Sequence, residues 1–178
     1  IRSHFSKHGA GQESPWVAYL QGHYPDYPLD ILRHNHAQVR QRLAFMRDDT
    51  QDPATYGDWY LQVRNPVSAE GLIQLTMGGP LYMYNGGLLQ VRLRYFDWQR
   101  RRPGLPPDVA ALVEKLEDER TVVRLLNLSA TAARELVVQG GAYGEHELLR
   151  VTADEQTIDV PGDGTHFTVE LAPGAGQR

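Results

Sequence analysis

Residues 121–140 read TVVRLLNLSATAARELVVQG, and this stretch decides the fold class. Two short apolar runs, 121–128 and 134–139, are rich in Val and Leu and are separated by small and polar residues typical of a turn. The glycine pair Gly140-Gly141 closes the second run. Runs of this length, bounded in this way, predict β-strands.

The strand pattern continues to the end of the chain. Further runs at 145–152, 156–160 and 165–171 are interrupted by the turn sequence PGDG at 161–164. Five short strands at this spacing favour an antiparallel sandwich. We therefore expect residues 120–178 to form a C-terminal all-β module.

Upstream, a β-hairpin is predicted around Asn85-Gly86, the dipeptide that suits a type I′ turn. Its strands are 81–84 and 88–96. In the second strand, apolar residues alternate with polar ones, so four of them share one face: Leu89, Val91, Leu93 and Tyr95. Because an isolated hairpin is marginally stable, we expect this face to pack in a core shared with the tail strands.

The first part of the chain is predicted to be helical after an irregular segment, 1–28. Start signals at Asp26-Pro28, Asp52-Pro53 and Asn65-Pro66 each open a helix, and Gly78-Gly79 ends the last. The first helix reaches Arg47, and its apolar stripe contains Leu32, His36, Val39, Leu43 and Met46. The spacing of Val109, Leu112, Val113 and Leu116 predicts one more helix.

These elements predict an α+β protein, with short helices and a β-hairpin followed by an antiparallel β-sandwich-like module. The division is expected between a helical region with the hairpin, 1–119, and the all-β module, 120–178. The last 58 residues hold 4 basic and 8 acidic side chains, whereas the first 120 are balanced.

Composition excludes several classes of function. Lys and Arg number 18 against 22 Asp and Glu, so no general attraction to nucleic acid is expected. No apolar run approaches the roughly 20 residues that span a bilayer, so a soluble protein without a membrane partner is expected. The chain begins at Ile1, without an initiator Met or a leader, and we interpret it as part of a longer protein with a missing N-terminal domain. The cellular compartment stays open, because absence of cysteine occurs in every compartment.

The sequence contains no motif for a metal or a cofactor. His34 and His36 are two residues apart, so on a helix their side chains diverge and cannot share one ion. His36 lies on the predicted apolar stripe, which favours a core histidine. Neither a nucleotide-binding glycine loop nor a nucleophile motif occurs, and no cofactor is expected.

Arginines cluster in the stretch WQRRR at 98–102. Two interpretations stay open: a site for phosphate or carboxylate, or a solvated turn. With a net charge of −4, nucleic acid is not the expected partner.

Aromatic side chains with polar neighbours are the most suggestive feature of the sequence. The candidate substrate-binding group is Tyr56, Asp58, Trp59 and Tyr60. Apolar faces of sugar rings stack on aromatic planes, and carboxylates bind sugar hydroxyls, so this group suits carbohydrate. Simple core packing of Tyr56 on Tyr60, four residues apart, is the alternative. No catalytic residues can be assigned.

The segments TVVRLLNLS, ARELVVQGGAYGEHEL and FTVELAPGAG resemble the C-terminal β-sandwich of bacterial glycoside hydrolases. The helical stretches NPVSAEGLIQLTMGGP and YNGGLLQVRLRYFD are similar to the end of a six-hairpin, helical-toroid catalytic domain. There are too few helices here for a toroid, so the resemblance implies the C-terminal portion of such an enzyme, with its catalytic carboxylates elsewhere.

The leading hypothesis is therefore the C-terminal part of a larger carbohydrate-active protein, with a structural or sugar-contacting role. A stand-alone binding or interaction module without catalytic activity is the alternative. A third hypothesis is a complete small enzyme that uses Asp58 or His34.

Overall fold

The protein is an α+β protein with antiparallel sheets, as the sequence predicts. A computed structural model describes residues 15–67, 69–79, 90–153, 155–174 and 176–177. The chain divides into two compact units, residues 1–72 and residues 73–178. The sequence-based boundary was expected after residue 119 instead.

The first unit is helical. It contains α1 (Pro15–Leu20), α2 (Tyr27–Asp48), a single 3₁₀ turn (Pro53–Thr55), α3 (Trp59–Arg64) and the start of α4 (Glu70–Met77). The rings of Trp16 and Tyr27, both 1% exposed, lie 5.9 Å apart and join α1 to α2. Burial of two such large rings stabilises the contact between α1 and α2. No helix in the described part of the chain is long and apolar enough to cross a membrane.

Helix α2 buries a different face from the one predicted. The predicted stripe is largely solvent-exposed, with Leu32, His36, Leu43 and Met46 on the surface. The buried residues are Tyr27, Ile31 and Asn35, which are four residues apart. The interpretation of His36 as a core histidine is therefore wrong.

The buried face of α2 is selected by a close approach at Gly71. The Asn35 side-chain oxygen accepts a hydrogen bond from the Gly71 N–H at 3.1 Å. A Cβ atom at Gly71 would lie only 2.6 Å from that oxygen and 2.8 Å from Ile31 Cγ1, so only glycine fits there. The buried face of α2 thus includes a polar residue, Asn35, whose side chain has a hydrogen-bond partner. The predicted face contained mainly apolar residues.

The helix predicted from Asp52-Pro53 is broken into two pieces. The Asp52 carboxylate accepts a hydrogen bond from the Ala54 N–H and caps a single 3₁₀ turn. Tyr56 is already extended, with ψ of 129°, and α3 begins three residues later. A helical turn therefore begins at Asp52-Pro53 as predicted, but it ends after three residues, and α3 is a separate helix. Helix α4 ends as predicted at Gly78, whose φ of 68° suits glycine.

In its described residues, the second unit contains two main antiparallel sheets and one separate hairpin. The strands are β1 (Leu93–Asp97), β2 (Arg102–Pro103), β3 (Val109–Leu116), β4 (Thr121–Asn127), β5 (Arg134–Gly140), β6 (Arg150–Ala153), β7 (Gln156–Asp159), β8 (His166–Leu171) and β9 (Gly176–Gln177). Their order is β2-β1-β5-β8 in the first sheet and β3-β4-β9 in the second, with β6-β7 separate. Apolar residues of both main sheets form one core, which is the predicted sandwich-like arrangement.

Strand β3 replaces the helix predicted over 109–116. It pairs with β4 over almost its whole length, with a bulge between Val113 and Lys115. Val109 and Val113 are both buried, and a spacing of four places residues on one face of a strand as well as of a helix. Periodicity alone therefore could not separate the two structures, and pairing with β4 decided between them.

The predicted inward face of β1 is confirmed for its described residues. Val91, Leu93 and Tyr95 are buried, and the latter two lie in the core with residues of β5 and β8. The Tyr95 hydroxyl donates a hydrogen bond of 2.7 Å to the Thr76 carbonyl. Leu89 and the predicted turn at 85–86 lie outside the described residues.

Asn127, the first residue of the sequence NLS at 127–129, has a structural role. Its side chain is fully buried, and its amide nitrogen donates to the carbonyls of Ala132, Leu171 and Ala172 at 2.8–3.2 Å. Its side-chain oxygen accepts from the Ser129 N–H. This asparagine ties the end of β4 to the end of β8, so its role in the fold is structural.

Candidate functional site

Asp49 organises a cluster of aromatic side chains at the C-terminal end of α2. Its Oδ2 atom accepts hydrogen bonds from the hydroxyls of Tyr60 at 2.8 Å and Tyr56 at 3.0 Å. Its Oδ1 atom accepts from the Gln51 N–H at 3.0 Å. One carboxylate therefore holds both tyrosines and the turn that follows the helix.

The two tyrosines stack almost face to face. Their ring centroids are 3.8 Å apart and the planes differ by 6°. The sequence suggested contact between these residues on one helical face, but Tyr56 lies before α3 in extended backbone. The stack therefore results from the shared bond to Asp49 and not from helical periodicity.

Phe45, Arg64 and Trp59 complete the cluster. The Arg64 guanidinium lies 3.3 Å above the Phe45 ring, a cation–π contact. Its Nε atom is buried and has no hydrogen-bond partner among the described residues. The Trp59 side chain is 58% exposed, although its ring is only 6.2 Å from that of Tyr60.

These side chains border a cleft of about 320 Å³, which we call the aromatic cleft. Its lining residues are Phe45, Asp48, Asp49, Thr50, Gln51, Trp59, Tyr60 and Arg64. Aromatic rings provide an apolar surface, and carboxylate, amide and guanidinium groups provide hydrogen-bonding partners at its edge. The volume lies at the small end of the range for ligand pockets, which suits a compact polar molecule.

The hydrogen bonds of the cluster change the acidity of two of its members. The Gln51 N–H, then the Tyr60 and Tyr56 hydroxyls and the charge of Arg64, lower the pKa of Asp49. The adjacent Tyr56 hydroxyl, burial and the neighbouring Asp49 carboxylate raise the pKa of Tyr60. Asp49 is thus a stable anion with its lone pairs engaged, which favours a positioning role over that of a general base.

Three of the four predicted site residues are brought together. Tyr56, Trp59 and Tyr60 belong to one cluster, whereas Asp58 is exposed and does not line the aromatic cleft. The carboxylates of the cleft are those of Asp48 and Asp49, which the sequence analysis did not single out. The position of this Asp pair at the C-terminal end of a helix could have indicated them, because an Asp there can accept hydrogen bonds from the turn that follows.

Metal ligation has no support in the parts of the chain that the structure covers. Among the described residues, no group of three or more His, Asp or Glu side chains is placed to hold an ion. His34 is half-buried and His36 is exposed on α2, two residues apart.

The comparisons with known proteins give one family and no named relative. Residues 1–73 match a family described as a domain of unknown function (DUF8034). No curated protein and no solved structure shows significant similarity to the chain. The matched residues coincide closely with the first compact unit, 1–72, which contains the aromatic cleft.

Proposed function

We propose that the aromatic cleft binds a neutral sugar and that the chain is a sugar-contacting part of a larger carbohydrate-active protein. One observation carries this proposal: an exposed indole, that of Trp59, borders a cleft whose edge holds carboxylate and amide groups. An aromatic plane can accept the apolar face of a sugar ring, while such polar groups bind its hydroxyls.

The polar edge offers both donors and acceptors. The Asp48 carboxylate and the Gln51 amide line the cleft, and the Arg64 Nε–H is a buried donor without a partner among the described residues. A sugar hydroxyl can donate to the carboxylate and accept from the guanidinium. An unsatisfied buried donor costs free energy, so a ligand oxygen that reaches Arg64 would be favoured.

The cluster is also preorganised. Asp49 holds Tyr56 and Tyr60 in a stack, so little side-chain entropy would be lost when a ligand binds against them. Trp59 is the exposed ring and supplies the contact surface. Because Asp49 is already committed to three hydrogen bonds, the proposed role of the cleft is binding and not hydrolysis.

The same cleft would serve a stand-alone binding module, which is the alternative to a part of a larger enzyme. Both hypotheses predict sugar binding by this chain. They differ only in whether a catalytic domain accompanies it, which the complete gene sequence decides.

Binding can be tested with the chain labelled with 5-fluorotryptophan, because it contains only three tryptophans. A panel of neutral monosaccharides and disaccharides is titrated while ¹⁹F NMR spectra are recorded. We expect the Trp59 resonance to shift with a millimolar dissociation constant, about 4 kcal/mol of binding free energy. The Trp98 resonance, assigned by Trp98→Phe, is the internal control and should stay unchanged.

Two variants separate stacking from folding. Trp59→Ala removes the ring and with it the ¹⁹F reporter, so binding to this variant is followed by the backbone amide shifts of the cleft residues. It should weaken sugar binding about fivefold, which corresponds to about 1 kcal/mol of stacking. Gly57→Ala keeps the ring but places a Cβ atom 2.9 Å from the indole Nε1, so the indole must move and binding should weaken too. Trp98→Ala is the matched control. No shift at Trp59 with any sugar, or full affinity in Trp59→Ala, would contradict the proposal.

A further inference from the structure

Strand β8 forms an open edge of the four-stranded sheet. All of its residues, His166–Leu171, pair with β5 in a continuous register without a bulge. No strand in the described part of the chain pairs with its other side. A free strand edge presents backbone N–H and C=O groups to which a further strand can bind.

The other edges of the two main sheets carry features that oppose such pairing. Strand β2 has only two residues, one of which is Pro103, and β9 also has two. Strand β3 is longer, but it contains the bulge between Val113 and Lys115. Short length, proline, lysine and bulges are the means by which natural proteins protect an edge. Among the described edges of these two sheets, only that of β8 has none of the four, which favours a role in association.

The pairing with β5 determines which residues of β8 direct their backbone groups to the open side. The Gly140 N–H donates to the Thr165 carbonyl at 2.9 Å, and these residues are the next pair of the β5–β8 register. Hydrogen-bonded pairs alternate with non-hydrogen-bonded pairs along antiparallel strands. The odd-numbered residues of β8 therefore direct their N–H and C=O groups toward β5. His166, Thr168 and Glu170 direct theirs to the open side, and their side chains are exposed.

A second copy of this edge fits the pattern in one antiparallel register. Hydrogen bonds form where outward-directed residues of the two strands are opposite each other. When the pair is centred on Thr168, this residue is opposite its own copy and His166 is opposite Glu170. All three outward-directed residues of each copy then take part.

The neighbouring registers need backbone groups that are already engaged. A shift by two residues in one direction would require Gly164, whose carbonyl accepts the Leu148 N–H at 2.7 Å. A shift in the other direction would require Ala172, whose carbonyl accepts a hydrogen bond from the Asn127 side chain at 3.0 Å. The hydrogen bonds of the chain itself therefore favour the register centred on Thr168.

The same register brings complementary side chains together. Within the sheet, Glu170 of β8 is opposite Glu135 of β5, and neither carboxylate has an ion pair among the described residues. Like charges directly opposite each other destabilise a strand pair. A second copy would place the imidazole of its His166 opposite each Glu170, on the same face of the sheet. There the ring can donate a hydrogen bond to the carboxylate and, when protonated, balance its charge.

We propose that β8 is a homodimer interface. Two copies pair through this edge about a two-fold axis at Thr168, which joins their four-stranded sheets into one continuous sheet. Because both copies use the same edge, the dimer is closed and does not extend into a filament. The contact is small, so we expect a weak dimer whose population depends on concentration. This interface belongs to the second unit and is independent of the proposed sugar binding.

A single introduced cysteine tests the register, because the chain contains none. Thr168→Cys places two thiols opposite each other, with a Cα separation of about 5.5 Å that suits a disulfide. His166→Cys is the matched control, since its two copies would be about 14 Å apart and beyond disulfide reach. Under mild oxidation, we expect covalent dimers of Thr168→Cys to form at least about tenfold faster than those of His166→Cys. A mixture of His166→Cys and Glu170→Cys chains should form mixed dimers, because these positions are opposite.

Reversible association is measured by analytical ultracentrifugation at chain concentrations up to the millimolar range. Glu170→Lys gives Glu135 an opposite charge as its neighbour, so the melting temperature should be unchanged or higher. The same change places a lysine opposite His166 of the second copy, and the dissociation constant should rise about tenfold. Adding His166→Glu restores opposite charges across the interface and should recover most of the affinity. Asp118→Lys, the same charge change at an exposed residue before β4, should leave the dissociation constant unchanged.

The proposal is overturned by any of three results. A chain that stays monomeric over the whole concentration series would leave the edge to a partner other than a second copy. Equal rates of cross-linking for Thr168→Cys and His166→Cys would indicate random collision and no fixed register. A dimer that Glu170→Lys does not weaken would use a different surface.

Discussion

Asp49 is the residue on which the geometry of the aromatic cleft depends. It connects the end of α2 to two tyrosines whose own backbone positions belong to different elements. Such a carboxylate contributes more than a surface charge, because it accepts bonds from a backbone N–H and from two hydroxyls at once. Removing it would leave two tyrosine hydroxyls to find water and the ring stack without its common partner.

Acid should therefore weaken the cluster through Asp49. A carboxyl with a lowered folded pKa contributes stability that is present above the ordinary aspartate value, about 3.9, and is lost as the pH falls through the folded pKa. We expect Asp49→Asn to lower the free energy of unfolding at neutral pH, and the difference from the unsubstituted chain to shrink as the pH falls below 4. Chemical denaturation at a series of pH values measures this.

A direct readout is the ¹³Cγ chemical shift of Asp49. Tyr60→Phe keeps the ring and removes one donor, so the midpoint of the Asp49 titration should rise toward the ordinary value. Tyr143→Phe, at an exposed tyrosine of the other unit, should leave it unchanged. An Asp49 midpoint at the ordinary aspartate value in the unsubstituted chain would contradict the hydrogen-bonding scheme.

Asn127 gives a second prediction at the scale of one residue. Asn127→Ala leaves three buried or partly buried carbonyls without their shared donor and should lower the free energy of unfolding by roughly 1–3 kcal/mol. Leu128→Ala, at the exposed neighbouring residue, is the control and should cost less than about 0.5 kcal/mol. Equal effects of the two changes in denaturant unfolding would mean that Asn127 does not connect β4 to β8.

Strand β1 pairs with a strand of the C-terminal part of the chain and has two different faces. It pairs with β5 over five residues, and its inward side chains lie in a core with Leu136, Val138 and Leu171. Its outward residue Phe96 lines a cleft on the opposite face of the sheet. One strand therefore contributes to the core with one face and to this cleft with the other.

Truncation on the inward face of β1 should be costly. Leu93→Ala is expected to lower the free energy of unfolding by about 2–5 kcal/mol, because a cavity remains in a closely packed core. Leu149→Ala, at an exposed leucine of the same unit, should cost less than about 0.5 kcal/mol in the same denaturant titration. A loss below that limit for Leu93→Ala would place its side chain outside the core.

At the scale of an element, helix α2 shows which structural features a periodic pattern predicts and which it does not. Its extent was predicted within about a residue at each end, from Asp26-Pro28 to Arg47 against Tyr27–Asp48. Its buried face was not, because the side that packs depends on partners distant in the sequence. Gly71 and Trp16 select Tyr27, Ile31 and Asn35 over the more apolar stripe.

At the scale of the whole molecule, the candidate sugar-binding site belongs to one of the two compact units. The helical unit, residues 1–72, contains the aromatic cleft, and the family match covers the same part of the chain. The predicted resemblance to the C-terminal part of a glycoside hydrolase stays a prediction. Sugar binding by the first unit would support it, and the upstream gene sequence would test it directly.

The sequence patterns were sufficient for the α+β class, the limits of α2 and the strands β4, β5, β7 and β8. The strand predicted over 145–152 was wrong for most of its length, because only Arg150–Ala153 form a strand there. The correctly predicted features depend on local propensity, turn residues and proline or glycine positions, which act within a few residues. The aromatic group containing Tyr56, Trp59 and Tyr60 was also found from the sequence, since its members are near neighbours in the chain.

The buried faces of the elements, and the side chains that contact each other between them, follow from tertiary packing. The spacing of Val109 and Val113 is shared by helices and strands, and pairing with β4 resolved it. Asp49 belongs to the aromatic cluster because the turn after α2 brings the Tyr56 and Tyr60 hydroxyls within hydrogen-bonding distance of it. Asp58 does not belong to the cluster. Such contacts depend on how distant elements pack, and burial and hydrogen bonding between them outweigh the weak preferences of the local sequence.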